Sequence, residues 1–544
     1  MSSHRVTRGF AWNHLYKMVE YGGMSLYSIL VVRKFGPELG GNYAVYCSIC
    51  TTLAILAAFA VDGVLLRYLP RIARGESQYG EKKIEGVRPF LIEMLAFRLM
   101  VTLVISILVA VALGVVPEYV PSFAASLGNL RTLWPYLMIF LFGQVGVAFS
   151  TFTLIGLLEV KWIFFASLVT RGLMLAGGVV MVFTNHLTLE GAVALFAIAP
   201  VLNAVLLLPW VHRLVEPTSS PGIGRELKQV ILHLTRLIGR PSYLRVFVVL
   251  PFMLYGITTW GNDMLTTLLG RQPDFLMMRA MLGENAADIG LYEAAARIVL
   301  MTEYIFLFGL GHTLIAVFSE LAHTDEEAHD GTPSRPFPRL YRARRDIAGF
   351  QSVTTAPLIF FMLAFAPLGV EAIYGPKFAG AVPMVTFGLG ALAVTVLGFG
   401  GGLHVTSLVT IGKERVVFFN RLGWGIANLV ANYFLIRHWG GLGAMIGTQL
   451  ANSGACVTES MLAQRWIGPS FQLGRTTRIV LIASAATAAS YLLTGALASQ
   501  APILARFAIG AVLTAIFTLV LYYLFRVPEA QKVIGRLKAL MATQ

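Results

Sequence analysis

Charge is scarce in this chain. Only 13% of its 544 residues are Asp, Glu, Lys or Arg, against about 25% in ordinary soluble domains. So few charges cannot cover a water-facing surface, which excludes a soluble enzyme. Cysteine is nearly absent: Cys47, Cys50 and Cys456 all lie in apolar runs. No disulfide framework is possible, and the Cys47–Cys50 spacing has no Cys or His neighbour to complete a metal site. There is no Walker A loop, no metal-spaced His/Cys cluster and no GxSxG motif. The glycine-rich stretch Gly398 to Gly402 lies in an apolar run, where it signals close packing or a kink rather than phosphate binding. His404 in the same run reads as a packing residue. Aromatic residues reach 11%, which excludes a disordered chain.

What remains is apolar. Hydrophobic residues make up 56% of the chain and the mean hydropathy is +0.72. They fall in continuous runs of about 20, the length of a membrane-crossing helix, and not in the alternating pattern of a β-barrel. Fourteen spans are expected: 10–32, 42–66, 90–116, 132–157, 161–184, 190–211, 246–269, 290–318, 348–369, 381–410, 416–436, 441–463, 479–499 and 502–525. The first run carries no small-residue cleavage site and reads as a retained span. Bends are expected at Gly400–Gly402 and Pro383.

The net charge is +14. In a membrane protein this reads as cationic cytoplasmic loops, not nucleic-acid binding. With both termini inside, most Lys and Arg fall in cytoplasmic segments. Only Arg33, Lys34, Arg131, Arg271, Arg279, Lys377 and Arg437 fall outside. The 212–245 loop has Ile223, Leu227, Val230, Ile231 and Leu234 at helical spacing with Arg225, Lys228 and Arg236 between them, the pattern of a helix lying on anionic lipid. The tail at 526–544 repeats it. The 320–346 segment reads as a flexible linker, and Gly270–Ile289 as the longest outer loop.

Three short echoes suggest an internal repeat. Gly41-Asn42-Tyr43 matches Gly290-Leu291-Tyr292, Gly191-Ala192 matches Gly443-Ala444, and Lys161 with Phe164-Phe165 matches Arg415 with Phe418-Phe419. Each links span n to span n+6. An even number of spans keeps the halves in one orientation, a parallel repeat of the kind used for rocking transport. The fold class is therefore an all-α polytopic membrane protein of about fourteen helices. Its expected parts are an N-terminal six-helix lobe at 1–211, the amphipathic loop 212–245, a second six-helix lobe at 246–463, two further helices at 464–525 and the amphipathic tail 526–544.

A charge within a span costs about 2.5–3.5 kcal/mol on insertion scales, so it should face a cavity or a partner. The cationic candidates, suited to an anionic headgroup such as a pyrophosphate, are Lys17, Arg98, Arg171, Arg297 and Arg421. The acidic candidates, suited to coupling with H+ or Na+, are Glu20, Asp62, Asp263, Glu293 and Glu303. Lys17/Glu20 and Glu293/Arg297 are spaced to pair along one helix face. Asp62, Arg98, Asp263 and Glu459 lie near span ends, where side chains snorkel. Arg171 and Glu303 lie mid-span without a sequence neighbour of opposite charge. Most candidates fall on spans 1, 2, 7 and 8, equivalent pairs under the repeat. No metal site and no organic cofactor is expected.

Four motifs resemble the polysaccharide flippases of the MOP (multidrug/oligosaccharidyl-lipid/polysaccharide) exporter superfamily, the Wzx-like group. They are Phe35-Gly36-Pro37-Glu38-Leu39-Gly40-Gly41-Asn42-Tyr43; Asp263 with Leu269-Gly270 and Ile289-Gly290-Leu291-Tyr292; Ile373-Tyr374-Gly375-Pro376-Lys377-Phe378; and Gly412-Lys413 with Asn428, Asn432 and Trp439-Gly440-Gly441-Leu442-Gly443-Ala444. The resemblance implies two six-helix lobes around a cavity lined by helices 1, 2, 7 and 8, with cavity cations carried over to Lys17 and Arg297. It implies a bacterial inner-membrane protein that flips an undecaprenyl-diphosphate-linked oligosaccharide for exopolysaccharide, O-antigen or capsule synthesis, without ATP. A polymerase and a chain-length regulator of the same pathway would be its partners. Two rivals stay open: a multidrug antiporter of the same superfamily, and a membrane O-antigen polymerase or ligase. The outer acids Glu38, Asp274, Glu284 and Asp288 form no Asp-Asp or Asp-Glu pair of the kind such an enzyme uses.

Overall fold

A computed structural model describes residues 3–75, 78–79, 82–84, 86–114, 132–215, 250–283, 286–307, 337–469, 473–528 and 530–531, with 314, 318, 321–322 and 325. The amphipathic patterns expected within 212–245 and the tail fall almost wholly outside the described residues, as does most of the 320–346 segment.

The described chain is helical apart from a two-residue hairpin, Gln78–Tyr79 against Lys82–Lys83. The helices are α1 Ser3–Ala58, α2 Val61–Ile72, α3 Val87–Gly114, α4 Trp134–Gly156, α5 Val160–Phe183 and α6 Leu189–Val215, then α7 Leu250–Leu268, α8 Gln272–Leu282, α9 Ala286–Leu307, α10 Pro338–Ala364 and α11 Ala366–Tyr374. After a 3-10 turn come α12 Val382–Ala393, a π-turn at Val394–Gly398, α13 Leu403–Thr410, α14 Glu414–Trp466, α15 Leu473–Leu497 and α16 Ile503–Leu524. Each of the fourteen expected spans overlaps one of these helices. The long α1 and α14 each hold two spans, joined where Gly36 (φ 77) and Gly440 (φ 54) leave helical geometry. Among the described residues nine helices are long and apolar enough to cross a membrane.

α3 shows why these sequences suit a bilayer. Arg98, Thr102 and Ser106 recur every four residues and are buried against protein, while Met100, Leu103, Val104, Ile107, Leu108 and Val111 are exposed at helical spacing. An apolar stripe with no protein cover, beside a polar stripe that has it, is the reverse of a soluble helix and marks a lipid-facing surface. α16 repeats this with exposed Leu504, Val512, Ile516 and Leu519.

Two compact units form. The first holds residues 1–34 and 42–268; the second holds 35–41 and 269–544. In the first, α4 packs along α6, with Phe140 stacked on Phe196 at 5.0 Å between centroids. Val61, Val64, Leu65, Leu69, Phe90, Met94 and Phe252 form an apolar cluster in it. This core takes in α7, which packs on α2, although the sequence reading grouped span 7 with the second lobe. In the second unit, α14 packs against α8, α9 and α12, and α15 packs on α10 and α16.

Two expectations are corrected. Gly270–Ile289 is not a plain loop, because Gln272–Leu282 is a helix with Pro273 in its first turn. Pro273, Phe275 and Met278 bury one face against the second unit, which holds so short a helix where propensity alone would not. Pro383 lies in the first turn of α12, where proline is tolerated, so the bend expected there is absent. The break at Gly400–Gly401 is present.

Candidate functional site

Most of the charged candidates are drawn into ion pairs inside the two units. In the first unit, Arg171 on α5 reaches Glu20 on α1 through both Nε and Nη2, the Nε contact at 3.3 Å. Arg171 also lies over the thioether of Met174. Glu20 is thereby engaged from across the unit, while Lys17 places its ammonium 5.1 Å and 5.3 Å from the ring centroids of Tyr16 and Tyr21, a cation–π arrangement. Arg98 on α3 is 2% exposed and pairs with Asp62 on α2. Both residues had been read as snorkelling groups. They instead close on each other, because a guanidinium fork matches a carboxylate and burial leaves no water to compete.

The second unit holds the denser network. Glu293 on α9, only 2% exposed, accepts from Arg297 one turn along the helix at 3.1 Å and from Arg271 at 2.7 Å. The i,i+4 pair follows from helical spacing. Arg271 had been counted only as a loop residue, and the turn between α7 and α8 brings it in. Two guanidiniums therefore share one carboxylate. Arg421 and Glu459, both on α14 and separated by the Gly440 bend, meet at 3.1 Å. Asp263 on α7 is exposed. Glu303 on α9 is half-buried and has no ion-pair or hydrogen-bond partner among the described residues.

A second cluster, whose residues were not among the charged candidates within the spans, lies beside this network. Asp274 on α8 is fully buried. It accepts hydrogen bonds from Tyr292 on α9, from Asn432 at 2.6 Å and from Thr448 at 2.8 Å, the last two on α14. Asn428, one turn before Asn432, accepts from both Asn432 and Thr448 at 3.2 Å. All five residues are 3% exposed or less. Burial pushes the Asp274 carboxyl up to about 7, against the hydrogen bonds from Tyr292, Thr448 and Asn432 and the nearby charge of Arg271. The Asn432 Oδ1 is buried without a hydrogen-bond partner among the described residues. A carboxylate ringed by the hydroxyls of Tyr292 and Thr448 and the amides of Asn428 and Asn432, with an orphaned buried acceptor, fits a proton or a hard cation such as Na+. Among the described residues no three His, Cys, Asp or Glu side chains group as a metal site.

No protein-family model matches the sequence, and no curated protein matches it either. Solved structures do match the fold. The lipid II flippase MurJ in an inward closed conformation superposes with a TM-score of 0.61 at 12% identity, covering 96% of this chain and 99% of that one. An inward-facing multidrug resistance MATE family transporter of the MOP superfamily gives 0.58 at 15% identity, covering 83% and 94%. A MOP superfamily transporter from Pyrococcus furiosus gives 0.54 at 15% identity, covering 85% and 95%. The described helices, in this order, give the chain the fold of MOP superfamily transporters.

Proposed function

We propose that the chain is a flippase that carries an undecaprenyl-diphosphate-linked oligosaccharide from the inner to the outer leaflet of a bacterial cytoplasmic membrane, with both termini inside. The Arg271–Glu293–Arg297 network carries this reading. Its two guanidinium forks, held together in a protein interior, suit a diphosphate better than a cationic drug. The near-complete coverage of the lipid II flippase structure supports it. The fuel in this proposal is a cation gradient, with H+ or Na+ exchanging at Asp274 or Glu303. The chain does no bond chemistry, and the flipped units pass to a polymerase and its chain-length regulator. The rival reading is small-molecule antiport, which the MATE-like fold also permits.

The test is deletion of the gene, lipid extraction and sidedness labelling of lipid-linked oligosaccharides. A flippase leaves complete repeat units on the inner leaflet, and their mass identifies the glycan. Normal delivery to the outer face, with altered drug accumulation, overturns the proposal in favour of antiport.

A further inference from the structure

Helix α12 does not run straight into α13. Val394–Gly398 forms a π-turn, and Gly400 (φ 80) and Gly401 (φ 56) then take left-handed backbone that other residues rarely adopt. A broken helix in a bilayer must find new hydrogen-bond partners for the groups it frees. Here a side chain provides one: the His404 imidazole Nε2 meets the Phe399 carbonyl. The other ring nitrogen, Nδ1, meets Arg344 Nη2 from α10. A guanidinium can only donate, so Nδ1 accepts and Nε2 carries the proton that goes to Phe399. His404 is thus held as the neutral Nε2–H form between a cation and a carbonyl.

Arg344 is fully buried. Its Nη1 donates to the Gly468 carbonyl at 3.1 Å, just past the end of α14. No carboxylate lies within ion-pair distance of it among the described residues. A buried guanidinium held only by neutral acceptors is costly compared with one on a carboxylate, so the arrangement depends on the bend that brings His404 to it. On the far side, Cys456 of α14 approaches the carbonyls of Thr395 and Gly401 at 3.8 Å and 3.7 Å. Gln351 of α10 leaves a buried Nε2 without a partner beside the same break.

We infer that Val394–Gly402 is a hinge within the second unit and that His404 is its latch, fixing the bent state by joining Arg344 to the Phe399 carbonyl. Arg344 ties that latch to the chain end of α14 and so to the connection leading to α15. The hinge belongs to the fold whichever substrate the protein carries.

The test is a pair of spin labels on exposed positions at the two ends of the bent element, Lys377→Cys and Arg415→Cys. The background is Cys47→Ser, Cys50→Ala and Cys456→Ser, and the full chain is held in lipid nanodiscs. The protein with His404 intact is expected to show one distance. His404→Leu is expected to add a second distance, with a shift of roughly tenfold or more in the ratio of the two, the scale of losing a hydrogen bond to a charged group. His404→Gln, which can both accept and donate, is expected to keep the single distance. Should His404→Leu fail to fold, Arg344→Met/His404→Leu removes the buried charge together with its partner and is expected to show the second distance. A single unchanged distance in the leucine variant, or in the double variant where that one does not fold, overturns the latch.

Discussion

Arg271, in the turn between α7 and α8, donates to Glu293 on α9 at 2.7 Å. Arg297 shares the same carboxylate, so the two arginines are not equivalent to one acid. Arg297→Ala leaves Glu293 compensated by Arg271. It is expected to lower transport roughly tenfold or more while unfolding temperature and membrane abundance stay near wild type. Glu293→Gln removes the charge of a buried carboxylate that two guanidiniums share and is expected to cost about 3–5 kcal/mol of stability. Thermal unfolding and transport, measured on the same preparations, separate the two effects. Wild-type transport in Arg297→Ala sinks the assignment of this network to the substrate.

Lys17→Ala and Glu303→Gln probe the other two charges on spans 1 and 8 that take part in no ion pair above. Each is expected to reduce transport without lowering abundance. Neither removal strands an opposite charge, so the destabilisation seen on breaking a buried pair should be missing. Immunoblotting of membranes alongside the transport assay decides the matter. Unchanged transport in both would show that those charges only support packing.

The spans were legible because runs of about twenty apolar residues have one reading in a bilayer, and Glu293 with Arg297 was legible because helical spacing predicts it. Arg171 with Glu20 and Arg98 with Asp62 were not, since the partners sit on different helices and no periodicity links them. Arg421 and Glu459 share α14 in the structure, but only the bend at Gly440 folds its halves together. Asp274 escaped for a different reason. Its helix has eleven residues between glycines, too short for hydropathy to separate from a loop. The signals that could have found it were Pro273 and Asp274 as a helix start, and the i,i+4 spacing of Asn428 and Asn432.

The Asp274 cluster makes a pH prediction. Its folded-state carboxyl is raised from 3.8 to about 7. Between those values the folded chain keeps a proton that the unfolded chain has lost. The stabilisation from that proton is complete below the lower value and declines as pH rises to the upper one. A cation bound by the ionised carboxylate should restore stability above it. Sodium binding stabilises the fold by RT ln(1 + [Na+]/Kd), about 2.7 kcal/mol at a hundredfold excess over Kd, so NaCl in place of choline chloride is expected to raise the unfolding temperature more at about pH 8 than at about pH 6. Asp274→Asn should remove both dependences. An equal sodium effect in wild type and Asp274→Asn excludes this cluster as the cation site.

The buried pairs Arg98–Asp62 and Arg421–Glu459 allow a cycle of substitutions. Asp62→Ala leaves a guanidinium that is 2% exposed without its acid, and is expected to cost about 3–5 kcal/mol. Arg98→Leu/Asp62→Leu removes both charges and is expected to recover most of that loss, because the desolvation cost disappears along with the attraction. Parallel losses in the single and double variants would mean that the pair's packing, not its charge, holds α2 to α3. The same cycle at Arg421 and Glu459 tests whether the two halves of α14 are held together by charge.

Gly290 follows from a distance. A Cβ on Gly290 would lie 1.9 Å from the Pro37 carbonyl oxygen and 2.8 Å from the Pro37 Cα. Both residues belong to the second unit, where the segment Phe35–Gly41 is seated on α9. Backbone atoms cannot yield as a side-chain tip can, so the two segments would have to separate. Gly290→Ala is expected to cost about 1–3 kcal/mol, the range of overpacking in a filled interior. Gly283→Ala in the preceding turn meets no atom within 4 Å, so steric crowding is absent there and only its positive φ of 63 opposes the change. Unfolding temperatures of the two variants compare the mechanisms directly. If Gly290→Ala proves no worse than Gly283→Ala, the close approach of Pro37 to α9 does not hold in the membrane, and the glycine of the Gly290-Leu291-Tyr292 motif has some other reason to be there.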